Sequence, residues 1–553
     1  MWARLVKPIA TFDLETDPFR AGRIPRPFAA DFFDGSVHHT FWGEDCVKRC
    51  WKVMRKFDGY IYAHNGGKFD FHYLLEVIPG TALHDLKMIK SRISKFKAGL
   101  AEFRDSWLLV PTALKAFAKQ EIDYTKLEAD VREEHRPEII RYLKSDTENL
   151  RAYLLAMIKE NGFGLTIAGR TFALLKEKFD LKPPRTSERY DSRFRRFYFG
   201  GRVEFFRLGE LPGPWQMIDI NSAYPRAMLE QHPFDPSYET SETLPKRKTD
   251  LRSSFAIIDA TSDGALPIRT ENGGVEFPRR RDKYFATGWE IETGKSLGLL
   301  QIHRVIRCYT FRGTKNFKRY VDYYYRARLA AKAAGDKTGD LLNKLVLNSL
   351  YGRFALNPRE FHDVQLMKTG ENPPDGDLWE IAVELENGLT LWRKKHELHG
   401  RDFFNVATAC SITGWVRAYL LHALHRVKEP VYCDTDSIIC RRVPRNFSLG
   451  GGLGEWKTEI ENSPLVSIAA KKLYAMQLST GGFKVAAKGV KLSASEIRKV
   501  ARGEAVKYRF ESPNFSLISP INFVERTVRR DDQRKNERIP AQRTDRRCHA
   551  SGR

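Results

Sequence analysis

Cysteine is scarce in this 553-residue chain, with seven in all and no paired metal-ligand spacing among them. An odd number without a secretory leader points to free thiols in a reducing cytoplasm rather than a disulfide framework. No apolar run is long enough to cross a bilayer, and no charged-apolar-small leader precedes the first strand-like residues. Internal repeats are absent as well. Acidic residues are in the minority, 69 against 93 Lys and Arg, giving a net charge of +24 and a pI near 9.6. A balance that basic calls for a polyanionic partner, nucleic acid before any other. An unrelated basic surface is the competing reading, because charge fixes a class of partner and no chemistry.

What is present reads as an α/β multidomain protein. Residues 1–165 carry strand patterns at Ile9–Thr16 and Tyr60–Asn65. A helix follows Gly66-Gly67, and apolar residues recur at helical spacing from Pro137 to Ile158. The stretch Lys182–Arg196 is polar, basic and Pro-bearing, so 166–201 reads as a connecting segment ending in the turn signal Tyr198-Phe199-Gly200-Gly201. A larger α/β unit begins at 202. Long mixed segments at 226–316 and 357–404 separate motifs that should converge in space. Helices are predicted over Phe317–Ala334 and Leu341–Phe354, within 317–356. Then come 405–456, a last unit at 457–530, and a charged tail, 531–553, too poor in apolar side chains to fold.

The chemistry is carried by acids. Asp13 and Glu15 alternate along a strand and so share a face. Asp70 stands at a strand-to-helix turn, and Tyr142 and Asp146 are four apart on a helix. Four carboxylates and a phenol from three elements can hold two metal ions and orient a water for attack on a phosphodiester. Any one of them alone would more often be a surface group or a cap. Lys119 could add positive charge to the transition state, although an exposed lysine is the plainer reading.

A second acid set lies downstream. Val431-Tyr432-Cys433-Asp434-Thr435-Asp436-Ser437-Ile438 reads as a tight hairpin with two negative charges at its tip. Asp219 ends a separate apolar run. Asp219 and Asp436 are the candidate metal ligands, with Asp434 shaping the field beside them. The turn Ile220-Asn221-Ser222-Ala223-Tyr224 can offer backbone N–H groups to phosphate, and the Tyr224 ring can close the floor under a sugar. Lys344, Asn348 and Tyr351 share one helical stripe, with Gly352 permitting close approach and Lys332 as a further phosphate ligand. The competing reading of that stripe is an ordinary wet helix face. Lys471-Lys472-Leu473-Tyr474 and Lys484–Lys491 read as strands presenting lysines to a primer backbone, or as solvated strand edges.

Together these residues resemble a family B DNA polymerase with a proofreading exonuclease. The resemblance runs through Asp13-Leu14-Glu15-Thr16, Asn65–Asp70, Tyr142–Asp146, Asp219–Pro225, Lys344–Gly352, Tyr432–Ser437 and Lys472-Leu473-Tyr474. Tyr198-Phe199-Gly200-Gly201 and the two long segments are similar to features of the protein-primed branch, and several runs look closest to polymerases of tectivirus-type phages.

The resemblance implies an RNase H-like 3′–5′ exonuclease (1–165) and a right-hand polymerase. Its palm would include 202–225 and 405–456, its fingers 317–356 and its thumb 457–530. The first insertion (226–316) would contact DNA and a terminal protein, and the second (357–404) would support strand displacement and processivity. Thr16, Asn65 and Phe69 would bind a frayed single strand, and Lys119 would match the exonuclease lysine. Tyr198, Gly200, Gly201, Ser222, Gly352, Lys472 and Tyr474 would contact DNA, as would Thr413 and Arg417, where Val416 stands in place of the usual small residue. The implied cofactor is Mg²⁺, two per active site, with Mn²⁺ as an alternative. The implied partners are template and primer DNA, dNTPs and a terminal protein, for a monomer in the host cytoplasm. A stand-alone nuclease, an inactive DNA-binding descendant and a conventionally primed family B enzyme are the rivals. The nuclease reading leaves Lys344, Tyr351 and the Asp434–Asp436 pair without a reason.

Overall fold

In the N-terminal unit, the apolar run Ile9–Thr16 forms a strand buried on both faces, as a central position in a sheet requires. It pairs parallel with Tyr60–Ala63 and antiparallel with Pro27–Phe33. The computed structural model describes residues 7–113, 121–373, 375–384, 388–395, 403–517, 521–530 and 537–538. The sheet has ten strands. Seven come from the N-terminal unit and three, Phe361–Lys368, Trp379–Glu384 and Leu389–Lys394, from the segment 357–404. Phe361 pairs with Ile89 and Val364 with Leu86, so Leu83–Ile89 is not left as an open edge. Val364 and Leu391 sink into the same core as Phe12, Phe71 and Phe103.

The second unit is organised by a seven-stranded antiparallel sheet. Its order is Phe483–Ala487, Leu473–Gln477, Trp456–Ala470, Gly209–Ile220, Ser437–Arg442, Lys428–Asp434 and Val203–Phe205. A separate four-stranded sheet within 226–316 is built on Ser254–Asp263 and Leu300–Phe311. The helices Lys318–Ala333 and Lys337–Phe354 form an antiparallel pair. The second helix starts one turn earlier than its apolar periodicity predicts because the Asp336 side chain accepts from the Gly339 N–H and caps it. One apolar core spans the junction of the units, joining Leu150 and Leu154 to Phe172, Leu347, Ile218 and Ile438.

Two expectations are corrected here. The stretch Lys182–Arg196, read as an irregular linker, contains the helix Glu188–Phe194, capped by Ser187, with Tyr190 and Phe194 buried one turn apart. Its charges are outward or paired, as Arg195 is to Asp191 at 2.6 Å, and they masked an aromatic face. Within the tail read as unstructured, Glu537–Arg538 adds a short strand to Val524–Val528. The rest of 531–553 lies outside the described residues. Among those described, no helix is long and apolar enough to cross a membrane, and the six cysteines are free and buried.

Candidate active sites

The N-terminal acids meet because a helix crosses a strand. Asp13 and Glu15 point from one face of Ile9–Thr16, and the helix Arg136–Asn161 lays Asp146 over them. Ligand atoms of the three lie within 4.8 Å of one another. Tyr142, one turn before Asp146, is buried beside them. Burial, then the Asp146 and Glu15 carboxylates, pushes its phenol far above the usual range and keeps it protonated.

A fixture that sequence reasoning missed holds this helix. Asp31, fully buried and directly across from Asp13 in strand register, accepts from the hydroxyls of Thr40 (2.6 Å) and Thr147 (2.7 Å). The His38 ring contacts Asp31 through Nδ1 and Glu148 through Nε2, both at 2.8 Å. The Thr11 hydroxyl donates to the Thr147 carbonyl at 2.8 Å. These bonds fix the residues flanking Asp146. The one available signal was a lone carboxylate in the otherwise apolar strand Pro27–Phe33.

Asp70, predicted as a fourth ligand, stands outside that trio. It begins the helix Asp70–Val77, is buried, and accepts from the Leu14 N–H, so it braces the strand from the other side. Burial and, secondarily, Asp105 raise its carboxyl to about 7. Thr16 is buried, and Asn65, at φ 61°, opens the turn before Phe69. The Phe69 ring packs edge-on against Phe19, Tyr73 and Phe515 at 5.4–5.5 Å. Phe515 reaches this aromatic cluster from the far end of the chain. Lys119 lies outside the described residues.

The second site assembles on paired strands. Lys428–Asp434 and Ser437–Arg442 form a hairpin whose two-residue tip is Thr435-Asp436, with Thr435 at φ 59°. Asp219 is in register with Ser437, and the Ile220 N–H donates to the Asp436 carbonyl at 2.8 Å. Asp219 and Asp436 are thereby neighbours. Burial first and Asp436 second raise the Asp219 carboxyl to about 7, with Glu459 contributing; burial and Asp434 raise Asp436 to about 6. Buried acids raised by one another are what a divalent cation would relieve. Glu459, which sequence reasoning also passed over, pairs with Lys484.

Asp434 is held instead by the Lys472 ammonium at 2.5 Å. This corrects the predicted strand of primer-facing lysines. Lys472 sits in a turn at φ 59°, Lys471 donates to the Val275 carbonyl, and Tyr474 is buried with its ring 5.0 Å from Tyr432. The Tyr198–Gly201 element packs on the acid hairpin itself. A Cβ on Gly201 would meet the Thr435 side chain at 2.7 Å, and the Thr435 N–H donates to the Arg202 carbonyl.

Arg417, predicted as a DNA contact, lies behind this element. It is 2% exposed, paired with Glu290 at 2.7 Å, and donates to the carbonyls of Phe199 and Gly200. A buried guanidinium needs such partners, and they turn it inward. Thr413 is buried likewise, its hydroxyl donating to the Cys410 carbonyl.

Above Asp219, Tyr224 and Tyr351 stack face to face, centroids 4.0 Å apart and planes 4° apart. Lys344 is exposed on the same helix as Tyr351, and Asn348 donates its amide to the Lys344 carbonyl. Around the Gly352 Cα the space is open. Arg328 was missed, one cation among 93. Its Nε donates to Asp340 at 2.7 Å and its Nη1 to the Ser222 hydroxyl at 3.3 Å, so it leans over the turn after Asp219. Lys332 follows one turn later on the same helix and is exposed.

Comparison with known proteins gives the family and the fold. Residues 118–399 match the family model for DNA polymerase type B, organellar and viral. The chain is 35% identical to the DNA-directed DNA polymerase of Enterobacteria phage PRD1, over 94% of this chain and 98% of the relative. It is 26% identical to the DNA polymerase of Bacillus phage phi29 over 60% of the chain and 59% of the relative. In fold it is similar to phi29 DNA polymerase complexed with primer-template DNA, with a TM-score of 0.72 at 18% identity, covering 95% of this chain and all of that one. The same score holds for the ternary complex with incoming nucleotide substrates, at 19% identity.

Proposed function

From the premise that this chain belongs to the organellar and viral type B DNA polymerases, and so is a DNA-directed DNA polymerase, we propose a fuller reading. It adds deoxynucleotides at the Asp219–Asp436 pair, removes them 3′–5′ at the Asp13–Glu15–Asp146 trio, and begins new strands on a hydroxyl of a terminal protein. The observation that carries the reading is the pairing of Gly209–Ile220 with Ser437–Arg442. It sets two distant aspartates side by side, next to a fingers-like helix bearing Lys344 and Tyr351.

At the polymerising site, Asp219 and Asp436 would hold divalent ions, Mg²⁺ or in its place Mn²⁺. Bound there, they supply charge neutralisation and a lowered pKa for the attacking oxygen. Arg328, Lys344 and Lys332 take the triphosphate, whose charge the Ser222 turn also meets. The stacked Tyr224–Tyr351 pair opens to receive the sugar and the new base pair, and the rigid ring of Tyr224 excludes a 2′-hydroxyl. Lys472 keeps Asp434 from adding a third unopposed charge. In the N-terminal site, Asp13, Glu15 and Asp146 would hold the ions, Tyr142 donates its proton-bearing phenol to the attacking water or the scissile phosphate, and Asp70 braces the strand. Thr16, Asn65 and Phe69 receive the single-stranded end.

Protein priming rests on the Tyr198–Gly201 element against the acid hairpin and on the two long segments, 226–316 and 357–404. It extends to a monomer working in the host cytoplasm on a linear, phage-type genome. Incubating the enzyme with labelled dNTP, Mg²⁺ and the candidate terminal protein, without a nucleic-acid primer, tests it. A covalent protein–nucleotide adduct, lost in Asp219→Ala, is expected; extension of DNA primers without any adduct overturns protein priming and leaves the polymerase assignment standing.

A further inference from the structure

The first fingers-like helix, Lys318–Ala333, has two working faces. Tyr325, Arg328 and Lys332 lie toward the nucleotide pocket. At about 100° per residue, Arg319, Tyr323, Arg326 and Ala330 lie roughly half a turn away around the helix. This outer face and the end of the helix Ile167–Phe179 enclose a groove of 660 Å³. Its floor is Ala327 and Ala330, and its wall is Tyr323, 49% exposed, an unusual position for a large ring.

Charge decides what the groove suits. Some exposed arginines are matched by carboxylates, as Arg281 is to Asp259 and Arg312 to Glu239 and Asp250. Here Lys178, Arg319 and Arg326 line one groove, and among the described residues none has a carboxylate at ion-pair distance. Lys178 and Arg319 reach only the backbone carbonyls of Glu160 and Phe179. The single acid in the lining, Asp322, is taken by Lys318 at 2.8 Å. The Lys178 ammonium stands 5.3 Å from the centre of the Tyr323 ring. Three cations without an ion-pair partner among the described residues, around an exposed aromatic ring and over a floor without bulky side chains, fit a chain that alternates phosphates with flat bases.

We propose that this groove is a second DNA site, separate from the polymerising cleft, which takes one or two nucleotides of single-stranded DNA. A base lies against the ring of Tyr323, and flanking phosphates meet Lys178, Arg319 and Arg326. Duplex DNA is excluded, because its bases are already stacked and cannot turn onto the ring. The site makes no bond and breaks none.

The test keeps the cleft filled. Full-length enzyme is saturated with a dideoxy-terminated primer–template in Ca²⁺ and titrated with fluorescent oligo(dT)16 whose 3′ end carries a bulky block that keeps it out of the N-terminal site, followed by anisotropy. Wild type should bind the oligomer, and Tyr323→Ala should weaken it roughly tenfold. Lys178→Ala with Arg326→Ala should weaken it at least as much and flatten the salt dependence by about 1.4 log units per log unit, two phosphate contacts' worth. Filling of a single-stranded gap should stay within about twofold of wild type in both variants, which reports on folding and on the polymerase assignment independently. If the alanine pair fails that control, the glutamine pair replaces it. No oligomer binding by wild type with the cleft filled, or variants that bind it as wild type does, overturns the proposal.

Discussion

The two carboxylate centres of this chain are built in opposite ways. In the N-terminal unit three ligand atoms already lie within 4.8 Å of one another. The helix that completes them is fastened by Asp31, His38 and Thr147. In the second unit only Asp219 and Asp436 converge, Asp434 is tied to Lys472, and the rings expected to hold the nucleotide stack on each other. On the proposed reading, a site that accepts any strand end gains from being set in advance. A site that must choose among four nucleotides gains from closing only around the right one. The contrast is one of pre-organisation, and it can be broken at several points.

Among substitutions outside the acids themselves, the largest expected effect separates the regions by substrate. Arg328→Ala should raise the KM for dNTP roughly tenfold to a hundredfold, the worth of a charged hydrogen bond, with kcat changed far less. Degradation of a single strand should be untouched. If degradation fell in parallel, the regions would not be separable.

Next comes metal binding without DNA. Titrating metal-free enzyme with Mn²⁺ at neutral pH should show tighter binding at the N-terminal trio, abolished by Asp13→Ala and kept in Asp219→Asn. The reverse pattern would invert the comparison. A milder effect is expected at the fastening: Asp31→Asn should slow degradation about tenfold by loosening the position of Asp146, while leaving primer extension within about twofold.

Much of this was legible in sequence because it is local. The Asp13/Glu15 alternation, the Tyr142/Asp146 spacing and the Asp434–Asp436 hairpin depend on strand period, helix period and turn chemistry, each read within ten residues. What escaped depends on register and docking between distant segments. Asp31 matters because it lies across from Asp13, which no composition reveals. Arg417 carries a charge that reads as surface, yet Glu290, 127 residues away, draws it inside. Phe361–Lys368 belongs to the N-terminal sheet because Leu83–Ile89 offers it an edge 270 or so residues upstream, a non-local pairing with no sequence signal of its own. The hydrogen bond from the Leu14 N–H to Asp70 likewise depends on how a helix docks on a strand 56 residues upstream.

The smallest effect is on stability. Asp219 and Asp436, raised to about 7 and about 6, bind protons in the folded protein at pH values where the unfolded chain has released them. The stability this brings is present at low pH and is lost as pH rises through those values. The Tm of metal-free enzyme should therefore fall by a few degrees between about pH 5 and about pH 8, and Mg²⁺ should recover the loss at the upper end. Asp219→Asn should flatten the profile; an unchanged slope would place the charge strain elsewhere.

The most direct measurement follows both reactions on one labelled primer–template, with and without dNTPs, in Asp219→Asn and Asp13→Ala. Extension should drop by roughly a thousandfold in the first with shortening intact, and shortening by a similar factor in the second with extension intact. Loss of both reactions in either variant, or normal extension by Asp219→Asn, would contradict the assignment of two independent centres.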